Sequence, residues 1–252
     1  MPNLINIRIR QGTQYVPDVT KAAVNEMFRG FPIVDDTKCD NCDACTKVCP
    51  SNAITAKPLA IDMGKCVFCG DCVRACSPGA ITFTNRHHIA ADAREKLVIK
   101  NGMTPENYEA AAVHVSKEIR SVFGRSLKLR SVSAGGCNAC EMELNASNNV
   151  NFDMGRFGID IVASPRHADG MVITGPVSGN MAYALEETYR ALPTPKLIIL
   201  FGSCAISGGV FADSKAVNRS FIDSNTAQLY VPGCPVHPLT FINGLLRLIG
   251  RI

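Results

Sequence analysis
The chain has 252 residues, 46% of them hydrophobic, with no Trp, 12 Cys and a formal charge of +4. No run of about 18 or more apolar residues occurs, so no span of a bilayer is expected, and no Lys/Arg run with interleaved aromatics points to a nucleic acid. The start, MPNLINIRIRQG, has neither the apolar core of a secretory signal nor twin arginines, so a cytoplasmic chain is expected, in which dense cysteine argues for metal rather than disulfides.

In chain order, residues 1–30 read as an extension: LINIRIR alternates like a short edge strand, and the polar stretch Lys21 to Arg29 reads as a helix. Residues 31–85 hold an internal repeat, FPIVDDTKCDNCDACTKVCPSNAIT followed by LAIDMGKCVFCGDCVRACSPGAIT. Each copy is a short strand, a cysteine run and Ala-Ile-Thr, a duplication of one half of a small α+β unit.

The first run, Cys39, Cys42, Cys45 and Cys49 with Pro50 behind it, has the C-x2-C-x2-C-x3-C-P spacing of bacterial dicluster ferredoxins. There three thiolates of each run hold one [4Fe-4S] cube and the fourth crosses to its neighbour. Cys39, Cys42, Cys45 and Cys76 are therefore expected to hold one cluster, and Cys66, Cys69, Cys72 and Cys49 the other. Pro78 sits one residue later in its run than Pro50 does, an offset expected to alter the turn after Cys76 without disturbing ligation.

Residues 86–126 read as a helical linker. Thr104 is a natural N-cap with Pro105 at the first helical position, and Tyr108, Ala111, Val115, Ile119 and Val122 follow at helical spacing up to Gly124. From residue 127 to 252 apolar strands alternate with helices. LKLRSVS, IDIVAS, MVITG, KLIILFG and QLYVPG are the strands, and the helices fall near Glu143 to Asn149, Met181 to Leu192 and Leu239 to Leu248. This pattern predicts a parallel sheet of flavodoxin-like α/β class with helices on both faces, and a ligand at the carboxyl ends of its strands.

The last four cysteines, Cys137, Cys140, Cys204 and Cys234, all follow such strands, flanked by Gly135, Gly136, Gly202 and Gly233. Glycines permit tight turns and close backbone approach, so amide N–H groups can reach cluster sulfurs. A third cubane is expected here; zinc also accepts four thiolates. Three cubanes at a net charge of roughly −2 each would turn the formal +4 into about −2, so the basic balance of the bare chain is no sign of an acidic partner.

The stretches GGCNACEMELNA, RFGIDIVASPRHADGMVITGPV, ILFGSCAISGGVFAD and YVPGCPVHP resemble the small electron-transfer subunit of energy-converting, membrane-associated nickel-iron hydrogenases, including that of formate hydrogenlyase. They are also similar to the 20 kDa subunit of respiratory complex I. The resemblance spans about half the chain, residues 126–252. It implies that Cys137, Cys140, Cys204 and Cys234 hold the cluster next to a large subunit, either nickel-iron or complex I 49 kDa-like. Other iron-sulfur and membrane subunits would complete the assembly, and the chain would touch the inner face of the membrane only through them. Adjacent cysteines typify the complex I relative where this chain has C-N-A-C, which favours the hydrogenase side; the fused dicluster domain is a further departure, since many relatives keep it on a separate subunit.

With all twelve thiols assigned, none remains for a bimetallic hydrogen-activating centre, so the isolated chain is expected to relay electrons and catalyse nothing alone. Arg166 and His167, in SPRHAD after the strand IDIVAS, are read as lying at the cysteine edge and tuning the third cluster, or else as capping the turn or meeting the partner. Glu141 and Glu143 suit a helix start, or proton exit and interface pairing. His87, His88, His114 and His237 show no ligand spacing and are assigned surface or packing roles. GSCAISGG lacks the Lys-Ser/Thr ending of a phosphate loop, and no GxGxxG follows a strand. Two other readings stand beside the hydrogenase one: a complex I-like module delivering electrons to a quinone or other carrier, and a zinc-stabilised interaction protein.

Overall fold
The structure is a computed structural model that describes residues 3–115 and 117–252. The N-terminal segment is not a strand but a helix, α1 (Leu4–Gln11). Asn3 caps it through Oδ1 to the Ile5 amide, and Gly12, at φ +64°, ends it. A lone strand leaves its ladder groups unpaired, whereas a helix satisfies its own backbone. Residues 21–29 form turns rather than the expected helix, because Asp18 and Asn25 take the amides of Thr20 and Met27, local bonds that compete with helix. The extension then straps the molecule: Val19 is buried and its carbonyl accepts from Asn243, while Arg29 donates to the Phe68 carbonyl.

The repeat builds β1 (Pro32–Val34), α2 (Ala44–Lys47) and β2 (Ile54–Ala56), then β3 (Leu59–Asp62), α3 (Asp71–Ala75) and β4 (Ile81–Phe83). The opening strand of each copy pairs with the closing strand of the other, β1 antiparallel to β4 and β3 antiparallel to β2. The halves are thus interlocked. The linker also contributes a strand: β5 (Val98–Lys100) adds to β3, giving the order β2-β3-β5.

The expected linker helix is two. Thr104 caps α4 (Pro105–Ala112), and α5 (Lys117–Phe123) follows after a break. Asp92 makes the break: its amide donates to the Ala112 carbonyl and its carboxylate accepts the His114 amide at 2.7 Å. Val115 and Val122, expected on the buried stripe, are exposed; Tyr108, Ala112 and Phe123 are buried.

The C-terminal domain consists of β6 (Leu127–Ser133), α6 (Ala139–Ala146), β7 (Ile159–Ile161), β8 (Gly170–Thr174), α7 (Gly179–Ala191), β9 (Leu197–Phe201), α8 (Ser203–Ser207), α9 (Ser220–Ser224), β10 (Leu229–Val231) and α10 (Pro238–Leu248). All five strands are parallel in the order β10-β9-β8-β6-β7. Numbered within the domain this is 2-1-3-4-5, the flavodoxin-like order. β8 and β9 are buried along their whole length, as a sheet covered on both faces requires.

The two domains share a core. Ala91, just after the repeat, exchanges backbone hydrogen bonds with Tyr230 and so covers the β10 edge. α10 is wedged behind this seam with every residue but Arg247 buried. A Cβ on its Gly244 would come 2.7 Å from the Ala90 methyl. Phe241, fully buried, packs edge-on against Phe201 of β9 at 5.0 Å. Phe241→Ala is expected to destabilise the chain by about 3–5 kcal/mol, read as a lowered denaturation midpoint under anaerobic conditions.

Candidate cluster sites
In the repeat, each cysteine run is coiled by left-handed residues at matching places. Asn41 and Asp43 follow Cys39, and Phe68 and Gly70 follow Cys66, all at positive φ. Such residues reverse the chain within a few bonds, which lets three closely spaced thiols face one point. Beyond each run, the amides of Ala53 and Ala80 donate to Cys49 Sγ (3.2 Å) and Cys76 Sγ (3.3 Å), and that of Phe68 to Cys66 Sγ (3.3 Å). The turns after Cys49 and Cys76 are alike despite the displaced proline: Asn52 and Gly79, both at positive φ, donate to the Cys49 and Cys76 carbonyls. The alteration expected of Pro78 does not occur, because the turn depends on the residue three after the cysteine.

The sulfurs group across the runs. Cys45 lies within electrostatic reach of Cys76 and Cys39, and Cys66 of Cys72, Cys49 and Cys69. Cys49, Cys66, Cys69 and Cys72 line a single cavity, closed by Ile54, Ile61 and Phe83. Burial pushes Cys66 up to about 12 and Cys72 up to about 11, and raises Cys45. A thiolate is unfavourable in such a place without a cation beside it, and bound iron would supply one. Four soft donors around an apolar cavity, with amides aimed at sulfur, fit a [4Fe-4S] cube.

Cys137, Cys140, Cys204 and Cys234 meet at the carboxyl edge of the sheet, in the loops and first helical turns after β6, β9 and β10. Cys140 is within reach of Cys204 and Cys234, Cys204 of Cys234 and Cys137, and Cys234 of Cys137. α6 starts four residues before its expected position and carries Cys140 in its first turn, after Asn138 at φ +69°. Burial raises Cys140 to about 12, against a backbone hydrogen bond from Val236 that lowers it. Cys204 is raised to about 11, again by burial. Glycine is obligatory beside both: a Cβ on Gly202 (φ +98°) would sit 2.7 Å from Cys140 Sγ, and one on Gly209 (φ +56°) 2.9 Å from Cys204 Sγ.

Ser203 joins the second and third cysteine sets. Its buried hydroxyl lies 2.6 Å from the carbonyl of Cys66, in the second set, and 3.2 Å from that of Gly233, the residue before Cys234 in the third. No local spacing marks Ser203, because its partner is 137 residues away.

Glu141 receives the hydroxyls of Ser133 and Thr174, each at 2.6 Å. Burial would raise its carboxyl, but those two bonds outweigh it and hold it low. It therefore ties the α6 start to the ends of β6 and β8. Arg166 and His167 are not brought to the cysteines. β7 is only three residues long and stops level with Leu129, four residues short of Ser133. Arg166 and His167 then sit exposed on a single 3-10 turn, and Asp169 is already back beside Lys128. Among the described residues no hydrogen bond or ion pair links either side chain to the cysteine loops. His87 is buried, His88 and His237 are largely so, and the three rings adjoin, His87 to His88 at 4.2 Å and His87 to His237 at 6.3 Å. They are not surface groups. His114 is exposed beside Asp92.

Fold and cysteine geometry define the class: an iron-sulfur electron-transfer protein in which a dicluster module is fused to a parallel α/β domain. Residues 31–92 match the 4Fe-4S dicluster domain, and residues 137–248 match the NADH ubiquinone oxidoreductase 20 kDa subunit family. A probable membrane-bound hydrogenase subunit of Pyrococcus furiosus is 34% identical over 130 residues, covering 52% of this chain and 78% of that protein. An NADH-quinone oxidoreductase subunit of Heliobacterium modesticaldum is 36% identical over 156 residues, 61% and 88% of the two chains. Formate hydrogenlyase subunit 7 of Escherichia coli is 34% identical over 153 residues, 60% of each. The chain belongs to the family of the 20 kDa subunit of NADH ubiquinone oxidoreductase, and is an electron-transfer subunit of an oxidoreductase complex.

Gly202→Ala tests the third site separately. It is expected to displace Cys140 and lower bound iron by about four atoms per chain, while the repeat keeps its own iron; iron analysis and low-temperature EPR read both.

Proposed function
We propose that the chain carries three [4Fe-4S] clusters and serves as the small subunit of a nickel-iron hydrogenase of the formate hydrogenlyase kind. Cys39, Cys42, Cys45 and Cys76 hold the first cluster, Cys66, Cys69, Cys72 and Cys49 the second, and Cys137, Cys140, Cys204 and Cys234 the third. When bound, the clusters supply one-electron redox chemistry. The chain's own contribution is to bury the sulfurs, donate amides to them and hold the second and third sets together through Ser203.

The observation that carries this reading is the surface around the third set. Cys137 and Cys234 are exposed, and so are Met142, Val210 and Phe211, which follow closely on Cys140 and Cys204. Apolar side chains crowded around exposed ligands suit a covering partner, here the large subunit with its own metal centre. No helix among the described residues is long and apolar enough to cross a membrane; contact with the inner face of the membrane is assigned to partners. The C-N-A-C spacing and the hydrogenase and formate hydrogenlyase relatives support hydrogen chemistry in the complex. The NADH-quinone oxidoreductase relative supports the second reading, electron delivery to a quinone or other carrier without hydrogen.

Anaerobic purification of the native complex, with nickel quantified and hydrogen uptake assayed, separates the two. Nickel with hydrogen uptake is expected, and a nickel-free complex without uptake favours the second reading. The chain reconstituted alone is expected to bind about 12 iron atoms and to produce no hydrogen. Phe211→Glu is expected to leave that iron in place while the large subunit is lost on copurification.

A further inference from the structure
The buried polar side-chain atoms without a protein hydrogen-bond partner are not scattered. Among the described residues they are His87 Nε2, both ring nitrogens of His88, Thr240 Oγ1, Asn243 Oδ1 and Arg247 Nε. Thr240, Asn243 and Arg247 fall at i, i+3 and i+7, one stripe of α10. Thr240 and Asn243 are each 1% exposed and His87 4%. Buried polar groups left unmet are costly and rare, so such a concentration marks a place that holds a polar guest.

Two cavities meet there. The outer one opens beside Cys234 and is bordered by Phe28, Glu143, His237 and Thr240. The inner one lies among His88, Glu109, Thr240, Asn243 and Arg247 and leaves about 10 Å³ for the centre of a water molecule, the room that one buried water with several polar partners needs. Thr240 belongs to both walls, and its buried hydroxyl has no protein partner. At the far side, Glu109 Oε1 lies 3.2 Å from His88 Nδ1, without the alignment of a hydrogen bond. Glu109 is also held by Arg247, and its side chain is 26% exposed, so it reaches solvent.

We propose that this seam is a proton path, running from Glu109 through His88, one internal water and Thr240 to the cavity beside Cys234. It rests on the reading that Cys234 holds a redox centre facing a partner subunit. The Glu109 carboxylate takes a proton from solvent and passes it to one nitrogen of His88, whose other nitrogen releases one to the water. The water passes one of its own to the Thr240 oxygen, and the Thr240 hydrogen leaves toward Glu143. One proton enters, one emerges, and ring and hydroxyl rotation restores the line. Each proton offsets one electron added to the chain.

The charges around the seam suit this. His88 is lowered chiefly by burial and by Arg247 and Arg86, against Glu109. His87 is held down to about 3 by burial and by His88, His237 and Arg86. Neutral rings pass protons without storing charge. His237, which borders the outer cavity, accepts the Leu239 amide at Nδ1, which leaves Nε2 to carry the ring's N–H. The acceptor there is Glu143, whose carboxyl burial raises.

The test uses the intact complex, anaerobic and weakly buffered, mixed with a low-potential chemical reductant. Stopped flow follows cluster bleaching near about 400 nm together with proton uptake by an indicator dye. Thr240→Val, which keeps the shape and removes the hydroxyl, is expected to bleach at the wild-type rate but take up protons at least about tenfold more slowly; Thr240→Ser restores the rate. Glu109→Gln, at the partly exposed end, should slow uptake likewise if the first variant loads iron poorly. Unchanged uptake in these variants, or no uptake by the wild type on reduction, overturns the path, as does an experimental high-resolution structure in which the inner cavity is dry. Failure of the hydrogenase reading shows differently, as absent hydrogen activity with proton uptake intact.

Discussion
Sulfur that must ionise in places that disfavour charge is the constraint on which the rest of the structure depends. Burial raises the thiols of Cys45, Cys66, Cys72, Cys140, Cys204 and Cys234. A bare chain holds them protonated at neutral pH, and metal must displace those protons. The amides at Cys49, Cys66 and Cys76 and the glycines beside Cys140 and Cys204 are arranged around these atoms. Local conformation follows: left-handed residues recur at equivalent places in both repeats because a run of three closely spaced ligands cannot otherwise turn inward.

A second consequence is that the domains are not independent beads. The exchange of strands between repeat halves, the pairing of Ala91 with Tyr230, and α10 buried against both sides make one continuous core. Ser203 lies within that junction, between the Cys66 and Gly233 carbonyls. A relay needs its centres held at constant separation, and a shared core provides this where a flexible linker would not. The same junction encloses the buried histidines and the polar stripe of α10, so one seam brings the second and third cysteine sets together and supplies polar groups next to them.

The cysteine sets, the repeat, the five parallel strands and the three main helices of the C-terminal domain were legible because their signals are local: ligand spacing, alternating apolar runs and Gly or Pro punctuation. The misreadings came where the decisive partner is distant. LINIRIR alternates like a strand but has no strand beside it; the 105–123 helix is broken by Asp92; and Arg166 and His167 follow a strand that stops short of the cysteine edge.

By itself the sequence determined the class of chemistry, 4Fe-4S electron transfer, because thiolate count and spacing limit which metal groups a chain can hold, and it determined the order of strands and helices in the C-terminal domain, because apolar periodicity acts over a few residues. Only the tertiary structure decided which groups meet across long separations: Ser203 with Cys66, Asn243 with Val19, and His88 with Glu109 and the α10 stripe. Those encounters are set by how one helix is wedged between two domains, a property of packing over the whole chain that no window of neighbouring residues contains.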